Sequence, residues 1–205
     1  MAFDTAINRL FMMSIFPDLK NDNNFQLLSD RDETYNCIAW AMGYNDRWVD
    51  IEESPGHWWP DGVSKDMSPQ SLIDAFCTEG FEMSYNAYPE DGYYKVVLYK
   101  SNLLGIWTHA ARIVTSEIEY SKFGKLWDGQ HSHNVLSNTG FLYSSSSYGE
   151  AYAYMKKAIA IKPAEIESED RETDGSESNE GMTIDIDNLT KMRAALGKGE
   201  LSCEF

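Results

Sequence analysis

Two short segments constrain this chain more than any others: Tyr35-Asn36-Cys37-Ile38-Ala39-Trp40-Ala41 and Thr108-His109-Ala110-Ala111-Arg112-Ile113-Val114. The first reads as a short helix with a cysteine in its opening turn, capped at Thr34 and stopped at Gly43. The second reads as a strand with a histidine near its start. A helix N-terminus favours a thiolate, because unpaired N–H groups and the helix dipole stabilise the anion. The same N–H groups, that of Cys37 included, can donate to a tetrahedral oxyanion. A histidine on a strand packed against that helix would be the base. Taken alone, Cys37 among Ile38, Ala39 and Trp40 is an ordinary core cysteine, and His109 an ordinary half-buried strand histidine.

The surrounding pattern fits a helix laid on strands. Ile7, Leu10, Phe11 and Ile15 give residues 5–16 a helical spacing that Pro17 stops. Residues 18–33 and 44–66 read as loops. Ser68-Pro69 opens a second helix with Leu72, Ile73, Phe76 and Cys77 as its apolar stripe, ended by Gly80. Strand formers dominate Tyr94–Tyr99, Trp107–Val114 and Ile118–Phe123, the last two joined as a hairpin through Thr115-Ser116-Glu117. A turn near Thr115 pairs His109 with Ser121 and puts both side chains on one face. Residues 124–148 read as a long excursion, and Ala151–Ile161 as a final strand.

Pro163 closes the body, giving a domain over 1–163. Residues 164–183 form an acidic, Ser-rich linker poor in large hydrophobics, expected to be disordered. Residues 184–205 form a short amphipathic segment with Leu189, Met192 and Leu196 at i, i+3 and i+7, suited to a partner groove. The net charge of −16 is unfavourable for nucleic acid and anionic membranes and favours basic partners. No apolar run is long enough to span a bilayer, and no secretory leader is legible, so a cytoplasmic protein is expected unless a dedicated secretion system exports it. Cys37, Cys77 and Cys203 form no disulfide framework, and Cys77 is assigned to the core. His131 and His133 would share a strand face, but nothing completes a metal site. Phosphate-binding glycine loops and dinucleotide fingerprints are absent, so no cofactor is expected.

The candidate site therefore gathers Cys37 as nucleophile and His109 as base, with Ser121, or Asp128 or Gln130 beyond it, orienting the ring. Trp58 and Trp59 either wall a substrate cleft or anchor a long loop, and Asn36 and Lys122 join them as candidate substrate contacts. The cysteine and histidine blocks resemble those of CHAP and NlpC-type amidases. The blocks Trp58-Trp59-Pro60, Tyr94–Tyr99, Ser121-Lys122-Phe123-Gly124 and Tyr148-Gly149 join them in resembling an uncharacterised bacterial family over about residues 16–160. The resemblance implies an α+β, papain-like (NlpC/CHAP-like) fold, with N-terminal helices, the Cys helix among them, packed on a small antiparallel sheet. It also implies a cysteine hydrolase or acyl transferase acting on an amide or isopeptide bond of a protein or peptide, such as a bacterial conflict effector. Serine stands at position 121, where NlpC-type amidases carry His, Asn or Gln. The contrasting expectation is an acidic adaptor or immunity-type protein whose dyad is degenerate and whose partner is basic.

Overall fold

The structure is a computed structural model that describes residues 3–137 and 147–159. Its framework is one seven-stranded sheet in which every neighbouring pair is antiparallel. The strands are β1 (Gln26–Leu27), β4 (Glu82–Ser84), β5 (Tyr93–Lys100), β6 (Trp107–Ile113), β7 (Ile118–Lys122), β8 (Asp128–Ser132) and β9 (Glu150–Ala158). Their order across the sheet is β1-β8-β7-β6-β5-β9-β4. A two-residue parallel pair, β2 (Trp48–Val49) with β3 (His57–Trp58), lies apart from it. Three α-helices are described: α1 (Ala6–Ile15), α2 (Cys37–Met42) and α3 (Pro69–Thr78).

This overturns the expected papain-like α+β fold with N-terminal helices on a small sheet. The molecule is β-rich, and the sheet is large because segments read as loops pair as strands. The polar stretch Asp128-Gly129-Gln130-His131-Ser132 has no apolar alternation, yet it ladders with β7 on one side and β1 on the other. Backbone pairing on both edges and the burial of its polar side chains Asp128 and His131, not apolar alternation, recruit it.

Two sheet faces carry different cores. On one, α2 and α3 bury Ile38, Trp40, Leu72 and Phe76 against Val96, Leu98, Ala110 and Met155. The α2 cap is Asn36 rather than Thr34: its Oδ1 accepts from the Ala39 amide at 3.0 Å, which makes Cys37 the first helical residue. Arg112, reaching up from β6, donates through Nε to the Trp40 carbonyl at 2.9 Å and lies over the Trp40 ring. A cation on those carbonyls complements the negative end of the helix. On the other face, Val97, Tyr99, Ala111 and Ile113 form a second cluster. α1 and the turn after it, Pro17–Asn21, cover the β1–β8 end, where Met12, Phe16 and Leu19 pack on Phe123 and Trp127.

α1 falls within the predicted 5–16 and is capped by Thr5, but its stripe is only partly covered: Ile7 is 75% and Leu10 64% exposed, Ile15 packs on the core, and Met12 is the buried residue. Cys77 is exposed, not in the core. Gly149 holds φ at +93°, and a Cβ there would sit 2.0 Å from the Lys100 carbonyl oxygen. Only glycine lets the chain pass this close, and that passage delivers Tyr148 to the sheet. No described helix is long and apolar enough to cross a membrane. The expectations for 164–183 and 184–205 lie outside the described residues.

Candidate functional site

The site forms where β6 and β7 part. Their ladder runs over only two pairs, Arg112↔Tyr120 and Ile113↔Glu119, because the connecting turn is centred near Ser116. The register is thus shifted by two residues from the expected His109–Ser121 pairing. Parity is unchanged, so both side chains still share a face. Across the fork, His109 Nε2 meets Ser121 Oγ at 3.0 Å. Ser121 Oγ in turn meets His131 Nε2 at 2.8 Å, and His131 Nδ1 meets the Ser132 carbonyl at 3.0 Å. All three side chains are essentially inaccessible to water. Burial holds the pKa of His109 well below the usual imidazole value, with the neighbouring His131 adding to the effect. Burial also lowers His131, against the opposing field of Glu119.

The second nitrogen of His109 is different. Nδ1 is buried and has no hydrogen-bond partner. Tyr148 covers the ring face to face, with centroids 3.7 Å apart and planes 3° from parallel. The Thr108 hydroxyl donates to the Tyr148 carbonyl and fixes this lid residue from the strand itself.

Cys37 approaches the fork from the α2 side. Its thiol is partly buried, and burial pushes its pKa up to about 11. The backbone of Ala110 partly offsets that rise, as do those of Ile38 and Cys37 itself. The thiol also lies within electrostatic range of Tyr148 and Lys122. It is therefore next to the strand that carries His109, and near the Tyr148 ring that stacks on the imidazole. No hydrogen bond joins Cys37 to His109: Nε2 is engaged by Ser121, and Nδ1 has no partner. Ala110, adjacent to His109 on a regular strand, points its methyl toward α2, so the imidazole points to the far side.

The other candidates separate into structural roles. Asp128 does not reach His109. It lies on the α2 face, where it accepts from the Tyr35 hydroxyl at 2.9 Å and pairs with Lys122 at 3.6 Å. Lys122 is fully buried; its ammonium donates to the Leu126 carbonyl at 2.6 Å and sits 4.5 Å from the Tyr35 ring centroid. That leaves it committed to the fold instead of open to a substrate. Burial lowers Lys122 and raises Asp128, with each charge opposing the shift of the other. Asn36 is likewise consumed: besides capping α2 it donates through Nδ2 to the Val49 carbonyl at 2.9 Å. Trp59 stacks on Trp107 at 6.0 Å as a loop anchor, while Trp58 stays half-buried beside Tyr44 and Arg47. Gln130 points away from His109 and donates to the Asn24 carbonyl.

Sequence reasoning gave no role in the site to His131 or Tyr148. His131 was legible in principle: a hairpin centred on Lys125 puts Ser121 opposite Gly129 and sets His131 on the same face two residues on. Among the described residues, no group of three His, Cys, Asp or Glu side chains is placed to hold a metal ion.

No solved structure matches the chain. No curated protein matches it either. The model of one family does match, over residues 26–156, which takes in α2, the fork and all three members of the hydrogen-bonded chain. The chain belongs to that family, a domain of unknown function (DUF7689).

Proposed function

We propose that the fork between β6 and β7 is a thiol-dependent acyl-transfer site, with Cys37 as nucleophile and His109 as base. One observation carries the reading: His109 is held through Nε2 by Ser121 while Nδ1 stays buried and unpartnered. A buried polar atom left unsatisfied costs roughly 1–3 kcal/mol, and a catalytic role is one reason for a protein to keep one. The Cys37 thiol, beside the Ala110 backbone next along the strand from His109, is the group assigned to supply that proton.

In the reaction, Cys37 Sγ attacks the carbonyl carbon of an amide or isopeptide bond, and its proton crosses the gap where β6 and β7 part to reach His109 Nδ1, the imidazole lying on the far side of β6 from the thiol in the resting structure. The tetrahedral intermediate collapses, the C–N bond breaks, and the leaving amine takes the proton from His109. The thioester then passes its acyl group to water, as a hydrolase, or to an amine, as a transferase. The resting thiol is neutral, so the base is required to generate the nucleophile. A reactive free thiol of this kind belongs in a reducing compartment such as the cytoplasm.

A second reading has its own support. The thiol pKa of about 11 and the missing Cys37–His109 hydrogen bond suit a non-catalytic acidic module that recognises a basic protein. Iodoacetamide labelling, mapped by peptide mass spectrometry, separates the two. Under the catalytic reading, His109→Ala slows Cys37 alkylation at neutral pH by about a hundredfold, the low end of general-base effects. Equal rates in the two proteins would leave the binding module standing.

A further inference from the structure

We propose that His131 is a positioning residue for His109. Acting through the Ser121 hydroxyl, it fixes the His109 ring as the Nε2–H tautomer and leaves the Nδ1 lone pair bare. This deepens the reading of His109 as the base of Cys37 and rests on it for its functional meaning.

The direction of every proton follows from one end of the chain. The Ser132 carbonyl can only accept, so His131 Nδ1 at 3.0 Å carries a hydrogen. A neutral imidazole has one N–H, so His131 Nε2 is an acceptor. The partner it faces at 2.8 Å is Ser121 Oγ, which must donate its single proton there. Ser121 is then left with lone pairs toward His109 Nε2 at 3.0 Å, so Nε2 holds the hydrogen. The His109 proton being placed on Nε2, Nδ1 has none. The neutrality of both rings agrees with their burial, which lowers both pKa values. The charged and titratable groups acting on His131 are Glu119, Asp22 and His133, and Phe123 flanks its ring at 6.2 Å.

The arrangement explains why a serine can stand where a stronger orienter is expected. A hydroxyl can donate as readily as it accepts, and an isolated one fixes no tautomer. With His131 behind it, the hydroxyl has one direction only. A serine so held performs the task of a carboxamide oxygen.

The test is histidine ring nitrogen NMR on the full-length protein with 15N-labelled histidine. In the wild type, His109 should show a protonated Nε2 and a bare Nδ1, with the opposite assignment at His131. His131→Gln keeps an acceptor for Ser121 and should retain the His109 tautomer. His131→Phe and Ser121→Ala should give a tautomer mixture at His109 and slow Cys37 alkylation about tenfold, the size of one lost hydrogen bond. A wild-type His109 protonated on Nδ1, or a tautomer unchanged in His131→Phe and Ser121→Ala, overturns the proposal. If His131→Phe fails to fold, the wild-type spectrum and Ser121→Ala carry the test. A tautomer that responds as expected, with alkylation indifferent to His109→Ala, upholds the positioning role and removes the catalytic reading.

Discussion

Two buried polar clusters flank the same pair of strands, and they are built on opposite principles. On the α2 face, Lys122, Asp128 and Tyr35 are charged or strongly dipolar, and their polar atoms have partners: a carboxylate, a carbonyl, a hydroxyl and an aromatic ring. On the other face, His109, Ser121 and His131 are neutral, and the chain ends in one nitrogen with nothing to bind. A closed cluster has no capacity left for a ligand and is explained by folding alone. An open one retains a binding valence inside the protein, where leaving it empty is costly. The difference separates the sheet's structural polar residues from its candidate chemical ones better than residue type does, since Lys122 and Asp128 look the more reactive in sequence.

The comparison can be broken first at the closed cluster. Asp128→Ala leaves the Lys122 ammonium buried without its carboxylate and should cost about 3–5 kcal/mol in urea unfolding. A loss below about 1 kcal/mol would mean that the cluster is not the structural element described. Acid provides the second handle. Both imidazoles have depressed pKa values, so their contribution to stability is complete above about 6.5 and is lost as pH falls toward their folded values. Each should remove about 1.4 kcal/mol per pH unit in that window. Asp128, raised by burial, works in the opposite sense, so the diagnostic is a shallower acid slope in His109→Gln and His131→Gln relative to wild type.

Ser121→Ala sharpens the comparison further. It strips a donor from His131 and an acceptor from His109, and should cost about 1–3 kcal/mol in the same unfolding measurement. Its effect on Asp128 variants should be additive, because the clusters lie on opposite faces and share no partner. The smallest effect belongs to Cys77→Ser. That thiol is exposed at the end of α3, so the change should stay within about 0.5 kcal/mol and leave Cys37 labelling untouched.

Much of the local structure was legible. α1 falls within residues 5–16, Ser68-Pro69 opens α3, Gly43 ends α2, and β5, β6, β7 and β9 fall where strand formers concentrate. The sheet's extent was not, because β1 and β8 are joined by backbone pairing and carry little apolar alternation. The sharing of a face by His109 and Ser121 was readable from hairpin parity; the identity of the group behind Ser121 depended on a strand that looked like a loop. Asp128 shows the reverse failure. Its residue type suited an orienter, but its parity on β8 sends it to the α2 face with Lys122. The α1 stripe had the right period, but Ile7 and Leu10 are exposed while Ile15 packs on the core, since periodicity fixes that residues share a side and not how far that side is covered.

The brevity of the β6–β7 ladder has a mechanical consequence. Two rungs join the β1-β8-β7 half of the sheet to the β5-β9-β4 half, with β6 belonging to the latter. The seam is as short as the β1–β8 ladder at the sheet edge, and two buried side-chain contacts span it: His109 with Ser121, and the Tyr99 hydroxyl donating to Glu119 at 2.7 Å. With so short a ladder, these buried side chains take over part of the work of holding the two halves in register, so the polar residues of the fork are part of the framework as well as of the candidate site.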